Sequence, residues 1–402
     1  MPEIENISHV YKGLMARSRA FASFKEKGEL DVILADITQY ISVGECILDP
    51  MSGYGGGMRF WGKNGFKTMN IELNPPAYYW QLLKNPSNTN TIQLYINNLL
   101  NQIDELPKKE ETISISESFF TETSIDFISK LYNTIYNIAN NDKELSIAIF
   151  LPFVSRFAHY QRSSTNITHF KEGGLCSYVN WKLDFVKYLE SLSCLLKEEI
   201  KQYTELIHTN ILSDIMNVSL DNKYSYFVTS PPYPNYRDYS KLFRIENWVL
   251  DNIINKNQYD FQRMIGSNNV SGKSYGEIES PIANTFLLEL LDKAKKMPKK
   301  SKSDILIYYH PYFCQYFYNI QEAYKKIDTL LTEKAMGYIV VNDNITRDIP
   351  IPVGASICDI FASMGYQTEE IDTSHVSHYG NIGKAAKRIN SHHIRHILKV
   401  WK

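Results

Sequence analysis

Apolar side chains recur at helical spacing over residues 31–41, where Val32, Ile33, Leu34, Ile37, Tyr40 and Ile41 predict a helix with one buried face. The pattern then changes. Cys46-Ile47-Leu48 is a short continuous apolar run, as a buried strand requires, and it ends in Asp49-Pro50 and a glycine-rich turn. Thr68–Ile71 predicts a second strand closing on Glu72. Asn74-Pro75-Pro76 then opens a helix over Ala77–Leu83, because proline suits the first helical turn, whose N–H groups lack intrahelical partners anyway. Residues 1–100 thus predict repeated β-α units of a parallel sheet.

Residues 101–222 break this rhythm. They are rich in Asn, Ser and Lys, predict helices over 122–139 and 181–200, and include an apolar stretch, Ile147–Phe153, that fits either helix or strand; we read them as an insertion. The β-α pattern resumes in 223–402. Tyr224–Val228 predicts a strand running into Thr229-Ser230-Pro231-Pro232-Tyr233, where two prolines forbid both helix and central ladder and leave a rigid loop. Beyond it the pattern predicts an amphipathic helix over 319–333, a buried strand at Gly337–Val341, a helix over 353–364 and a terminal strand at Ile394–Trp401, with a basic loop at 297–303. The expected fold is α/β, a doubly wound, mostly parallel sheet with a largely helical insert.

Composition narrows the function. The 402 residues suffice for one large domain with an inserted module, or for two domains. A formal net charge of −1 means that any nucleic-acid face must be local rather than global. The 28 tyrosines could stack on bases, but they also fit the codon bias of an AT-rich genome. Five scattered cysteines with no CxxC spacing argue against a disulfide framework and a zinc site, and suit a reducing cytoplasm. The N-terminus lacks an apolar signal core, and no apolar run approaches the roughly 18 residues of a membrane span. We therefore expect no membrane and no metal.

Two segments carry candidate chemistry. Asp49-Pro50-Met51-Ser52-Gly53-Tyr54-Gly55 lies between a strand and a helix, where glycines let the backbone approach a ligand. Glu72 ends the next strand 23 positions after Asp49, a spacing that suits hydrogen bonds from ribose hydroxyls. Met58 stands where a dinucleotide fingerprint has its third glycine, so NAD is disfavoured while an adenosine-containing cofactor is not. A glycine-rich turn serving only the fold has the same sequence. In the second segment, Ser230 offers a hydroxyl acceptor and the stiff turn offers a main-chain carbonyl, that of Pro231. Two such acceptors can hold both hydrogens of a base's exocyclic amine, whose lone pair is otherwise delocalised into the ring. Pro232 keeps the turn rigid and Tyr233 offers a flat face for a base rotated out of its helix.

With both segments in view, the chain resembles the amino-methylating DNA methyltransferases, the N4-cytosine and N6-adenine group. The resemblance rests on Asp49–Gly55, on Glu72 and on Thr229–Leu250 (TSPPYPNYRDYSKLFRIENWVL), with 337–371 similar to later strands of the domain. Met51 departs from the phenylalanine usual in that position. The resemblance implies a Rossmann-like class I methyltransferase fold and S-adenosylmethionine as cofactor. It implies Asp49, Pro50, Met51, Gly53, Gly55 and Glu72 as cofactor-binding residues, and Ser230, Pro231, Pro232 and Tyr233 as the catalytic motif. Serine at 230 is similar to the cytosine-N4 branch; adenine-N6 methylation, or a degenerate fold that binds nucleic acid without transferring methyl groups, remain the alternatives. Double-stranded DNA is the implied substrate and a cognate restriction endonuclease a possible partner.

Methylation at cytosine C5 would need a cysteine nucleophile in a Pro-Cys loop, and none of the five cysteines has one. Cys176, after Gly173-Gly174-Leu175, reads as a small buried residue. His392, His393 and His396, with Lys384, Lys387, Arg388, Arg395 and Lys399, form a basic tail that would meet either phosphate or solvent. Target recognition is expected outside the matched core: in 101–222, with Arg156, Arg162 and Lys171, in preference to 256–303, with the Lys295–Lys302 run.

Overall fold

The structure is a computed structural model and describes residues 28–107, 120, 122–154, 160–162, 168–170, 181–200, 207–234, 243–254, 264–266, 275–375 and 394–402. Along the chain run α1 (Glu29–Ile37), β1 (Cys46–Asp49), α2 (Gly56–Lys63), β2 (Lys67–Glu72), α3 (Pro75–Lys84) and α4 (Thr89–Asn101). They are followed by α5 (Glu122–Ile138), α6 (Lys143–Val154), the short β3 (Tyr160–Arg162) and β4 (Thr168–Phe170), and α7 (Trp181–Ile200). The remainder comprises β5 (His208–Leu212), β6 (Tyr224–Thr229), α8 (Arg244–Asn252), α9 (Pro281–Lys295), α10 (Lys299–Asp304) and α11 (His310–Asp328). Last come β7 (Leu331–Asn342), the hairpin β8 (Asn344–Thr346) and β9 (Ile349–Ile351), α12 (Val353–Ser363), β10 (Gln367–His375) and β11 (Ile394–Trp401).

Seven strands form one sheet in the order β10-β11-β7-β6-β1-β2-β5. All neighbours from β7 to β5 pair in parallel, while β11 runs antiparallel between β7 and β10. The order is doubly wound: from the central β1 the chain builds outward through β2 to β5, then returns to build the other half from β6. Both faces are covered, so successive side chains alternate between two cores. Ile47, Val228 and Val340 pack beneath α1 and α2 with Ile33, Ile37 and Trp61. Leu48, Phe227 and Val341 pack beneath α9, α11 and α12. Gly337 is obligatory in β7, since a Cβ there would lie 1.9 Å from Cε1 of Phe227, paired with it across the strands.

A third core, made by α3 to α8, lies beside the sheet. Its centre is α6, buried from Leu145 to Val154, which explains why Ile147–Phe153 shows neither helical nor strand periodicity: a helix apolar all round has no polar face. The described part of 101–222 holds the helices α5, α6 and α7, the short β3 and β4, and one strand of the main sheet. His208–Leu212 forms the edge strand β5, paired to β2, and α3 and α4 join the helical core from the other side of residue 101. Two expectations change. The stretch 319–333 splits, with α11 ending at Asp328 and β7 starting at Leu331, and the basic loop at 297–303 is mostly α10, which leads through a π-helical turn at Ile305–Tyr309 into α11. Among the described residues no helix is long and apolar enough to cross a membrane.

Candidate functional site at the switch point

In a doubly wound sheet the loops after the two central strands turn to opposite faces and leave a crevice at the strands' carboxyl ends. Here those strands are β1 and β6, paired through Ile47 with Tyr226 and Leu48 with Phe227. The crevice therefore gathers Asp49 from the end of β1, Glu72 from the end of neighbouring β2, and Thr229 and Ser230 from the end of β6. Segments nearly 180 positions apart in sequence are thereby brought to one place.

The glycine loop is held by its own backbone and by β2. The Ser52 N–H and Oγ–H both donate to the Ile71 carbonyl at 3.0 Å, and the Gly53 N–H donates to Glu72 Oε2 at 2.7 Å. Glu72 Oε1 accepts from the Asn74 N–H at 2.7 Å. Gly55 has a φ of 72°, which favours glycine, and a Cβ there would stand 3.0 Å from Cγ of Gln81. Gln81 is a support that sequence reading missed. Its Nε2 donates to Ser52 Oγ at 2.8 Å and to the Gly53 carbonyl at 2.5 Å, and its Oε1 accepts from Asn210 of β5. Asn85 donates in turn to Asn210 Oδ1 at 2.9 Å. Pro50 is buried and Met51 packs, half-buried, against the core beneath α11.

The electrostatics of this end are unusual. Burial pushes the Asp49 carboxyl up to about 7, a rise that the Met51 N–H and the nearby Thr229 hydroxyl offset only in part. Burial likewise raises Glu72 to about 7 against its backbone hydrogen bonds, and Asp49 adds to the rise by like-charge repulsion. No cation offsets either acid among the described residues. Asp49 Oδ2, Thr229 Oγ1 and Asn74 Oδ1 are buried and have no hydrogen-bond partner among the described residues, Thr229 lying close to Asp49 without reaching hydrogen-bonding geometry. Such atoms occur elsewhere too, as at Trp61 Nε1 and Asn247, but these three lie together at the carboxyl ends of β1, β2 and β6.

The loop after β6 is braced from behind. Tyr316 donates to the Pro232 carbonyl at 3.1 Å and Asn344 to the Pro234 carbonyl at 3.4 Å, two more supports that no local sequence signal revealed. No donor among the described residues reaches the Pro231 carbonyl. Ser230 Oγ lies 2.7 Å from the Tyr233 hydroxyl, which is also 3.4 Å from the Val340 carbonyl. Tyr233 is only 9% exposed and its ring belongs to the core beneath α11, so in this structure it does not present the open face expected for a base.

Other candidates fall elsewhere. Arg395, His396 and Lys399 lie in β11 and are engaged internally, with Glu29, with Asp343 and Glu370, and with Asp36 respectively; they form no free basic face. Cys46 opens β1 at the opposite end from Asp49, and burial pushes its thiol and that of Cys314 up to about 11. Among the described residues no cluster of His, Cys, Asp or Glu could hold a metal. Arg156, Lys171, Cys176, Lys384, Lys387, Arg388, His392 and His393 lie outside the described residues, and Arg162 is described only as part of β3. No family model matches the chain, and no curated protein matches it.

Proposed function

We propose that the chain is an S-adenosylmethionine-dependent DNA methyltransferase of the Rossmann-like class, acting on an exocyclic amino group, that of cytosine N4. The observation that carries this reading is the meeting, at one switch-point crevice, of buried Asp49 and half-buried Glu72, with no counter-cation among the described residues, and the proline-stiffened loop that begins at Ser230. Bound there, S-adenosylmethionine would supply a methyl group activated by a positive sulfonium.

The chain's own residues do the rest. Asp49 and Glu72 offer negative charge to a cationic ligand, and Glu72, whose oxygens each accept one backbone N–H, has lone pairs left for ribose hydroxyls. Gly53 and Gly55, both at positive φ, shape the turn that would face its amino-acid portion, and the missing Cβ of Gly55 lets Gln81 pack against that turn. Ser230 Oγ and the Pro231 carbonyl would accept hydrogen bonds from the two hydrogens of the target amine, drawing its nitrogen toward tetrahedral geometry and freeing the lone pair for attack; as nitrogen gains the methyl group, it releases one of those hydrogens to water as a proton. Since Tyr316 and Asn344 fix the loop beforehand, little ordering is left for the moment of reaction.

The test is to incubate double-stranded DNA with the purified protein and labelled S-adenosylmethionine, digest to nucleosides and identify the labelled one. N4-methylcytosine is expected; N6-methyladenine would move the assignment to the other base, and unlabelled DNA would overturn the reading. Ser230→Ala should then slow transfer by roughly 10²–10³ at saturating cofactor.

A further inference from the structure

We propose that the Tyr233 hydroxyl is a positioning group that keeps Ser230 a pure hydrogen-bond acceptor, an inference that rests on the methyltransferase reading above. A hydroxyl has one hydrogen to give and two lone pairs to offer. Ser230 Oγ and Tyr233 Oη are 2.7 Å apart and both residues are over nine-tenths buried, so the pair is shielded from exchange with water. Either oxygen could be the donor if the pair stood alone.

It does not stand alone. The Val340 carbonyl, 3.4 Å from the Tyr233 oxygen, has no hydrogen and can only accept. The arrangement that satisfies all three groups sends the Tyr233 hydrogen to Val340 and the Ser230 hydrogen to Tyr233. Ser230 thereby spends its single hydrogen inside the protein, and both its lone pairs remain for whatever enters the crevice. An amine arrives with two hydrogens and needs acceptors. A serine free to turn its own hydrogen outward would confront those hydrogens with another donor. The Pro231 carbonyl, which can never donate, completes the acceptor pair. Tyr233 therefore acts through Ser230 and touches no reacting atom.

The test is a double-mutant cycle on Tyr233→Phe and Ser230→Ala, read by melting and by single-turnover methylation of double-stranded DNA. In melting, the two substitutions should be coupled, the double variant losing less than the sum of the single losses. Additive losses would mean the hydroxyls do not pair and would overturn the proposal. In turnover, Tyr233→Phe should lower the rate at saturation about tenfold or more, with cofactor affinity and the KM for DNA within twofold of the parent, and should cause no further loss in the Ser230→Ala background. A Tyr233→Phe enzyme at the parental rate, or one equally damaged with and without Ser230, would overturn it. A wild-type protein that methylates no DNA sinks the methyltransferase reading instead, and the melting cycle still decides whether the hydroxyls pair.

Discussion

Asp36, on the helix α1 over one face of the sheet, and Asp49, at the end of its central strand β1, have opposite fates. Asp36, on α1, meets Lys399 of β11 at 2.6 Å and also accepts from the Tyr338 hydroxyl. Burial alone would raise its carboxyl, but those two hydrogen bonds and the lysine's charge carry it below the ordinary value. Asp49 is buried more deeply, has no such partner among the described residues, and is driven up to about 7 by that burial. Nearby, β11 repeats the first solution twice: Arg395 engages Glu29, and His396 lies 3.3 Å from Asp343 and 3.2 Å from Glu370, which raise its basicity against the opposing effect of burial. The chain pairs its buried charges where they brace α1 and the antiparallel edge. At the end of β1, Asp49 has no charged partner among the described residues.

The contrast is broken most forcefully on its paired side. Lys399→Met leaves Asp36 partly buried and without its cation, and should lower stability by about 2–4 kcal/mol, measured by chemical denaturation at pH 7. An unchanged midpoint would show that the pair braces nothing.

The unpaired side should respond with the opposite sign. Asp49→Asn removes an uncompensated charge, and in the ligand-free protein at pH 8 it should stabilise by about 1–3 kcal/mol while weakening S-adenosylmethionine binding. Because Asp49 and Glu72 titrate above their ordinary values of 3.8 and 4.5, the folded chain holds protons that the unfolded chain has released. Their contribution to stability is full below about pH 4 and is lost as pH rises through about 7. Denaturation midpoints of parent and Asp49→Asn across that window should therefore converge at acid pH and separate toward pH 8; parallel curves would refute the shift.

A finer test is Glu72→Gln, which keeps the shape but replaces one carboxylate oxygen by a donor facing a backbone N–H. S-adenosylmethionine affinity in calorimetry should fall about tenfold, roughly 1.4 kcal/mol. Affinity equal to the parent's would remove Glu72 from the cofactor site.

What the sequence disclosed, and what it hid, divides along similar lines. Cys46–Asp49, the glycine turn, Glu72 and the loop at Ser230 were legible because local rules decide them: an apolar run, glycines and a pair of prolines. β5 was hidden because His208-Thr209-Asn210 shows no apolar alternation; it is an edge strand that carries buried polar contacts, with His208 Nδ1 2.9 Å from Thr68 Oγ1. Gln81, Tyr316 and Asn344 were hidden because each supports a loop far from it in sequence, and nothing around a lone Gln or Tyr announces a distant partner. The burial of Tyr233 depends on α11 and β7, neither of which its own neighbours in sequence reveal.

The pairing of β1 with β6 also sets a schedule for synthesis. Residues in the 40s must wait for residues in the 220s before the centre of the sheet can close, while α3 to α7, made in between, can already collapse on their own apolar faces. During that interval β1 has one open edge, the one that β6 will cover. Thr229 ends the strand that covers it, so the Ser230 loop takes its place beside Asp49 only as that edge is shielded, leaving the outer edge of β6 for β7.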